Sequence, residues 1–194
     1  MKTYNEKRDF SKTKEPQDEG PGKSGSQPLF VIQKHDATNL HYDFRLEISG
    51  TLKSWSVPKG PSLDPSVKRM AIPTEDHPIP YADFEGTIPQ GEYGGGTVMI
   101  WDNGKIRSIK KDDSGKVISL EESFEAGSLE IELIGKKLKG GFNLVKMKGG
   151  KMSGNWLLMK QDDKYAKTGK EITESEMNSA VSGRSLEEIE KEES

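Results

Sequence analysis

Apolar and polar residues alternate without a break between Leu40 and Ile48. The apolar residues are Leu40, Tyr42, Phe44, Leu46 and Ile48, and the polar residues between them are His41, Asp43, Arg45 and Glu47. A period of two is typical of a β-strand with one buried face, because successive side chains of a strand point to opposite sides. We therefore predict a strand over 40–48 whose polar side chains share an exposed face opposite the core.

Short runs of the same kind recur along the chain, with glycine-containing turns between them. Further strands are predicted at residues 29–35, 52–57, 69–73, 97–101, 105–109, 128–134, 142–147 and 155–160. Asn103-Gly104 is the strongest hairpin signal, since both residues tolerate the positive φ angles of a two-residue turn. Many short strands predict an all-β sandwich or barrel, with helices expected only near the C-terminus, at 174–181 and 186–191.

Composition favours one compact core between polar ends. Hydrophobic residues make up 31% of the 194 positions and charged residues another 31%. We assign residues 1–28 to a flexible arm, because they contain Gly20-Pro21-Gly22 and Ser24-Gly25-Ser26. Residues 29–165 form the β domain, and residues 166–194 form an acidic tail that buries little. Deleting residues 171–194 is expected to leave folding and catalysis intact.

The chain contains no cysteine, which excludes disulfides and thiolate metal sites. Its apolar runs are too short to span a membrane, and its polar start is not a secretory signal. We expect a soluble cytoplasmic protein that does not contact a membrane. The net charge of −3 hides an uneven distribution, because residues 171–194 carry eight acidic and two basic residues. The rest is mildly basic, which is compatible with a phosphate-bearing ligand.

The three histidines of the chain, His35, His41 and His77, all lie within a short stretch of sequence. On the predicted strand His41 and Asp43 share one face, and His35 precedes it closely. A lone histidine is more often an ordinary surface residue, but this grouping favours a metal site. Imidazole and carboxylate ligands suit Mn, Fe or Zn without choosing among them.

Several cations near these histidines admit two interpretations. Arg45 could form a cross-strand salt bridge or make a bidentate contact with a phosphate bound at the metal. Lys59 lies between two prolines, and Arg69 follows shortly after; each alone is most simply a solvated charge. The glycine-rich loop 85–97 matches no phosphate-binding motif and opens no helix, so we interpret it as a structural loop with positive-φ glycines.

Five stretches of this sequence are similar to one known family: residues 33–47, 52–61, 75–78, 81–86 and 88–91. They resemble the 3′-phosphoesterase module of the multifunctional bacterial ATP-dependent DNA ligases of the ligase D type and its free-standing relatives. Lys7-Arg8-Asp9-Phe10, Glu15-Pro16 and residues 155–160 extend the resemblance, whereas residues 105–153 match loosely. The sequence has no Lys-x-Asp-Gly motif of nucleotidyl transfer, so nick sealing would require a separate ligase.

The resemblance implies a small closed β-barrel with its site in a surface groove. It implies a Mn-dependent enzyme, with Zn or another divalent transition metal as an alternative, that removes 3′-terminal ribonucleotides and 3′-phosphates and leaves a 3′-OH. Its substrates would be DNA or DNA/RNA 3′ ends of primer–templates, and its partners a separate DNA ligase, a polymerase and an end-binding protein.

The resemblance also implies a role for each site residue. The metal ligands would be His35, His41 and Asp43. The scissile phosphate would be bound by Arg45, Lys59 and Arg69, with contacts from His77 and Tyr81. Supporting roles would fall to Gln33 and Glu75, and Arg8, Asp9 and Glu15 of the arm would assist the phosphomonoesterase step.

Two other classes of function stay open at this point. A non-haem Fe(II) oxygenase would use His41, Asp43 and His77 as a two-histidine, one-carboxylate triad and would leave His35 without a role. A non-catalytic DNA-end binder would use only the basic groove. The role of His77 is also open, since an ordinary histidine pKa of about 6.5 suits either an imidazolium donor or a general acid.

Overall fold

The fold is built from nine β-strands, with short helices at its margins. The computed structural model describes residues 3–22 and 27–193. Its strands are β1 (Leu29–Asp36), β2 (Leu40–Ile48), β3 (Thr51–Val57), β4 (Arg69–Pro73), β5 (Gly86–Ile88), β6 (Gly96–Ser108), β7 (Ser128–Gly135), β8 (Lys139–Lys146) and β9 (Trp156–Lys160). Its α-helices are α1 (Leu120–Glu125), α2 (Ile172–Ser175) and α3 (Leu186–Glu193), and 3-10 helices cover Asn5–Lys7 and Ile79–Asp83.

Eight strands close into an antiparallel barrel in the order β1, β2, β3, β4, β9, β8, β7, β6, and β6 pairs with β1 to complete the ring. The short strand β5 adds to a free part of β6. Side chains at alternate positions fill the interior, including the fully buried Trp55, Trp101, Phe44 and Phe142. The closed barrel confirms the all-β prediction.

The predicted hairpin at Asn103-Gly104 is wrong. Strand β6 runs through both residues, and it pairs with β1 along one edge and with β7 along the other. A Cβ atom added at Gly104 would lie 2.1 Å from the Ile134 carbonyl oxygen. The glycine is therefore required for close approach between strands, and not for a turn.

A helix also occurs where only strands and loops are predicted. Ser119 begins α1 with a capping box, because its Oγ accepts a hydrogen bond from Glu122 N at 3.1 Å and the Glu122 side chain accepts one from Ser119 N at 3.2 Å. The tail helices form close to their predicted places, as α2 and α3.

Residues 3–22 pack along the barrel, whereas sequence analysis predicts a flexible arm. Tyr4 is 5% exposed, and its hydroxyl donates a hydrogen bond to Pro16 O at 2.9 Å. Farther along, Gly22 N donates to Gly50 O at 3.0 Å, which fixes the arm to the β2–β3 turn. The predicted flexibility of Ser24-Gly25-Ser26 concerns residues outside those that the structure describes.

The expectation that the tail buries little is wrong. Ile172 and Ile189 are buried in the main core cluster, and Ile189 is fully inaccessible to solvent. Trp101 Nε1 donates to Glu176 O at 2.5 Å, and Arg184 forms an ion pair with Glu85 at 3.0 Å. The boundaries assigned to the arm, the β domain and the tail stay a prediction.

A second apolar cluster lies outside the barrel, beneath the arm. It contains Tyr4, Val31, Leu52, Tyr81, Ala82, Phe84, Ile88, Val98 and Ile100. This cluster and the arm cover the outer side of β1 and β2. The polar face of β2 is therefore largely buried and not exposed as predicted, with Asp43 at 7%, Arg45 at 3% and Glu47 at 3% exposure. Among the described residues, no helix combines the length and apolarity needed to cross a membrane.

Candidate metal and phosphate site

The β1–β2 hairpin brings two histidines and an aspartate together. His35 lies directly opposite His41 in the register of the two strands, and Asp43 follows two positions along β2 on the same face. His35 Nδ1 is 3.8 Å from Asp43 Oδ2, and His41 Nε2 is 3.5 Å from Asp43 Oδ1. One ligand atom from each residue falls within 4.8 Å of the other two.

The donor atoms of this cluster fit a divalent metal ion. His41 Nδ1 lies 2.8 Å from Asn39 O, and a proton shared there leaves the Nε2 lone pair facing the cluster. His35 Nε2 is buried and has no hydrogen-bond partner within the described part of the chain. The oxygenase alternative needs His77 as a ligand, but within the described residues the cluster contains His35 in its place.

Arg45 is held rigidly beside the cluster. Its Nη2 donates to Asp43 Oδ2 at 2.9 Å, and its Nε donates to Gln33 Oε1 at 2.7 Å. Gln33 is itself fixed, since its Nε2 donates to the carbonyl oxygens of Tyr81 and Phe84. The Arg45 side chain is 3% exposed, so the charge sits in a low-dielectric setting with its orientation set by its neighbours.

His77 lies on the other side of Arg45 and is 6% exposed. Burial, together with the nearby charges of Arg45 and Arg8, holds the pKa of His77 well below its usual range. Its Nδ1 lies 3.0 Å from Arg45 Nη1, a donor, and 2.9 Å from Glu75 O, an acceptor, so each of these contacts fits a different tautomer of the ring. The lowered pKa keeps the ring neutral near pH 7, and the choice between an imidazolium donor and a general acid stays a prediction.

The arm completes the wall of the site through a chain of ion pairs. Arg8 Nε donates to Glu15 Oε1 at 2.9 Å, and Arg8 Nη1 donates to Glu75 Oε1 at 2.9 Å. Lys7 Nζ reaches the second Glu75 oxygen at 2.6 Å. Burial raises the pKa of Tyr81 well above its ordinary value, so its hydroxyl keeps its proton. Arg8 and Glu15 thus lie at the site, as the resemblance implies.

These residues surround a cavity of about 310 Å³. The predicted residues in its lining are Arg8, Glu15, His35, His41, Asp43, Arg45, Glu75, His77 and Tyr81. Gln33 is fully buried and supports the cavity through Arg45. Most of the predicted site is therefore assembled around one space.

Three predicted site residues lie elsewhere. Arg69 shares its side of β4 with the fully buried Ala71, and its Nη2 donates to Glu171 Oε2 at 2.6 Å. Lys59 is exposed beyond the end of β3 and does not line the cavity. Asp9 accepts hydrogen bonds from Ser11 and forms an ion pair with Lys12. The roles assigned to these residues stay predictions.

Tyr93 is a cavity residue that sequence reasoning missed. It is 50% exposed, and Lys7 Nζ and Arg8 Cζ lie 4.9 and 5.3 Å from its ring centroid. It belongs to the glycine-rich loop, whose Gly91 and Gly94 have positive φ as expected of a structural loop. The sequence carried one sign of this role: Tyr93 is an aromatic residue in a glycine-rich loop, and such loops lie at the surface, where an exposed ring can contact a ligand.

Comparison with known proteins finds a matching family model and several similar proteins. The family model described as the DNA Ligase D 3′-phosphoesterase domain matches residues 33–146, which include the three histidines. The multifunctional non-homologous end joining protein LigD of Pseudomonas aeruginosa is 48% identical over 166 residues, or 85% of this chain and 19% of that protein.

Two mycobacterial proteins give a similar result. The protein of the same name from Mycolicibacterium smegmatis is 40% identical over 84% of this chain and 21% of its own length. The DNA repair protein LigD of Mycobacterium tuberculosis is 41% identical over 83% of this chain and 20% of its own length. The chain thus spans about a fifth of the length of these relatives.

Proposed function

Because the chain belongs to the DNA ligase D 3′-phosphoesterase domain family, we propose that it is a metal-dependent enzyme that heals DNA 3′ ends. It removes 3′-phosphates and 3′-terminal ribonucleotides and leaves a 3′-OH. The observation that carries this proposal is the placement of Arg45 against Asp43, which sets a fixed cation beside the His35–His41–Asp43 cluster. A bound metal ion and a fixed cation can together stabilise the negative charge on a phosphoryl group during its transfer.

His35, His41 and Asp43 would hold the metal, for which we propose Mn²⁺, with Zn²⁺ or another divalent transition metal as an alternative. When bound, such an ion supplies Lewis-acid polarisation of a phosphoryl oxygen. Hydrogen bonds from neighbouring groups orient two of the proposed metal ligands: Asn39 O orients His41, and Arg45 orients Asp43.

Arg45, His77 and Tyr81 bind the non-bridging phosphate oxygens. The guanidinium commits its Nε–H to Gln33 and one Nη2–H to Asp43, and its Nη1 lies beside His77, which leaves donors for a ligand. His77 would donate through Nε2–H in the tautomer whose Nδ1 accepts from Arg45, and protonated Tyr81 would donate through its hydroxyl. Since neighbouring residues already orient these donors, they stabilise developing charge without reorganising during the reaction.

The proposed substrates are DNA or DNA/RNA 3′ ends of primer–templates. The names of the relatives refer to non-homologous end joining, so we propose that a separate ligase, polymerase and end-binding protein act on the same ends. Arg69 directs its Nη2 toward Glu171, so a phosphate contact would use the other N–H groups of its guanidinium.

Phosphate release from a 5′-labelled primer–template with a 3′-phosphate tests the proposal. Chelation should abolish release, and added Mn²⁺ should restore it. His41→Ala should lose both activity and bound metal while the circular dichroism of the barrel is unchanged. Full activity of His41→Ala in excess chelator would end the metal hypothesis, and DNA binding without phosphate release would favour a non-catalytic end binder.

Arg45→Lys separates phosphate binding from a simple salt bridge. Lysine keeps the charge but lacks the planar fork, so we expect kcat to fall about 10²- to 10³-fold. Arg107→Lys is the matched control, because Arg107 is exposed and forms an ion pair with Glu132 on the outer surface. Equal turnover by the two variants would show that Arg45 has only a structural role.

A further inference from the structure

A second cavity, of about 620 Å³, lies between the β7–β8 turn and the start of the tail. Six lysines line it: Lys136, Lys137, Lys139, Lys164, Lys167 and Lys170. Glu176 is the one acidic residue in its described lining. The whole chain has a net charge of −3, so this cavity is a local concentration of positive charge on a protein that is acidic overall.

The cavity lysines differ from many other cations of the molecule in forming no ion pair with a carboxylate. Arg8, Lys53 and Lys160, for example, each form such a pair. Within residues 3–22 and 27–193, none of the six cavity lysines does. Like charges around one concave surface repel each other and destabilise the fold, and a bound polyanion would remove that repulsion.

The fold holds this cavity in a defined shape. Lys137 Nζ lies 4.8 Å from the Trp101 ring centroid, and burial lowers the pKa of Lys137. Lys136 Nζ donates to Ala180 O at 2.5 Å, so the tail backbone fixes one rim. Lys139, Lys164, Lys167 and Lys170 are exposed and present their ammonium groups to solvent. Two lysines are therefore anchored, and four are available to a ligand.

Trp101 and Tyr42, both buried in the barrel core, separate the lysine-lined cavity from the catalytic cavity. Lys137 packs on Trp101, and the Trp101 ring lies 5.5 Å from the ring of Tyr42. Tyr42 is the neighbour of His41 on β2. The described linings of the two cavities share no residue, but Lys34, the neighbour of His35 on β1, is near enough to Lys137 to lower the pKa of Lys137. A strand bound at the His35–His41–Asp43 cluster would therefore follow the outside of the barrel to reach the lysines.

We propose that the lysine-lined cavity binds backbone phosphates of the nucleic acid whose 3′ end enters the catalytic cavity. This inference rests on the proposed function, and it assigns the lysines to the part of the substrate that does not react. Lysine ammonium groups are compact point charges that hold phosphates without reading sequence. Tyr165, 36% exposed on the same lining, offers a ring face for a base.

The test compares two variants with equal loss of charge. One carries Lys139→Gln, Lys164→Gln, Lys167→Gln and Lys170→Gln. The control carries Lys111→Gln, Lys116→Gln, Lys148→Gln and Lys151→Gln, four exposed lysines outside the cavity. Binding of a fluorescein-labelled primer–template with a 3′-OH is measured by anisotropy over a salt series in the presence of Mn²⁺. The product end prevents turnover during the titration.

We expect the cavity variant to bind at least about tenfold more weakly at low salt, and the slope of log K against log salt to fall by roughly one for each phosphate that the lysines no longer neutralise. The control should keep the wild-type slope. Equal weakening of both variants, or of neither, would overturn the proposal. The proposal would also be overturned if free pyrophosphate bound to the cavity lysines of the wild type while the cavity variant kept full affinity for DNA.

Two different assays distinguish failure of the proposed catalytic function from failure of the proposed binding site. Phosphate release by the wild-type protein tests the chemistry, whereas the anisotropy titration uses an end that cannot react. A wild-type protein that releases no phosphate, together with a cavity variant that loses DNA affinity, would refute the catalytic proposal and leave the binding surface in place.

Discussion

The arm and the tail pack on the same barrel but bring different groups to it. The arm places Tyr4 in the second apolar cluster and sets a buried charge at the site, since the side chain of Arg8 is 4% exposed and bridges Glu15 and Glu75. The tail is held by apolar burial, with Ile172 and Ile189 in the main core. The comparison teaches that one terminal segment adjusts the chemistry of the site, whereas the other completes the core, and that mutations can separate the two effects.

Deleting residues 171–194 should have the largest effect, and it should be on stability. Burial of Ile172 and Ile189 is lost, and each large-to-small change in a core costs about 2–5 kcal/mol, so the free energy of unfolding should fall by at least about 4 kcal/mol. Urea unfolding followed by tryptophan fluorescence measures the loss. Ile189→Ala should reproduce roughly half of it, and an unchanged midpoint would contradict the assigned packing.

Arg8→Ala should be the next largest change. It leaves the buried carboxylate of Glu15 without its cation, and breaking a buried pair costs about 3–5 kcal/mol. The double variant Arg8→Met with Glu15→Gln should recover much of that stability, because no uncompensated charge stays buried. If the single variant unfolds like the wild type, the arm does not hold Arg8 where the structure places it.

The arm should also set the pH dependence of stability through His77. Above about pH 6.5 the histidine is neutral in both folded and unfolded chains. Below that pH the unfolded chain binds a proton at His77, whereas the folded chain does not, because burial lowers the pKa of this residue. The free energy of unfolding therefore falls with decreasing pH, by at most about 1.4 kcal/mol per pH unit. The measurement is the free energy of unfolding at pH 7.5 and 5.5.

Two variants turn this pH dependence into a test of the comparison. His77→Gln should remove its share of the fall in stability, because glutamine does not titrate. Arg8→Ala should reduce the fall, since Arg8 is one of the charges that lower the pKa of His77, whereas Ile189→Ala should leave it unchanged. An equal change in both variants would show that the two terminal segments are not separable in this way.

Tyr4→Phe should give the smallest effect. It removes only the hydrogen bond to Pro16 O, for a loss of about 1 kcal/mol, and keeps the ring against His77 and Tyr81. Chemical unfolding of Tyr4→Phe beside Tyr4→Ala measures this. A loss as large as that of Tyr4→Ala would mean that the hydroxyl, and not the ring, anchors the arm.

Local pattern predicts the strands well but fails where distant segments decide the structure. The alternation in β2 gives its bounds correctly, because one face of that strand is apolar throughout. Asn103-Gly104 carries a turn signal, yet pairing with β1 and β7 on both edges keeps β6 extended. Helix α1 had a detectable signal in the Ser119 and Glu122 capping box.

The site follows the same rule. His35, His41 and Asp43 are predictable because one hairpin brings them together. The burial of their face is not predictable, since it depends on an arm that contributes single residues such as Tyr4 from a polar sequence. Lys59 and Arg69 were assigned by resemblance, and the structure directs Arg69 toward Glu171.

Pairing of β1 with β6 has a consequence for how the protein folds. His35 pairs with His41 through a local hairpin but with Val98 across roughly 60 residues of chain, so closing that seam is a non-local step of the kind that slows folding. During synthesis the hairpin carrying the cluster emerges well before β6. His35 and His41 can therefore come together early, when the β1–β2 hairpin forms. Their positions become fixed only later, when β1 pairs with β6 and the barrel closes.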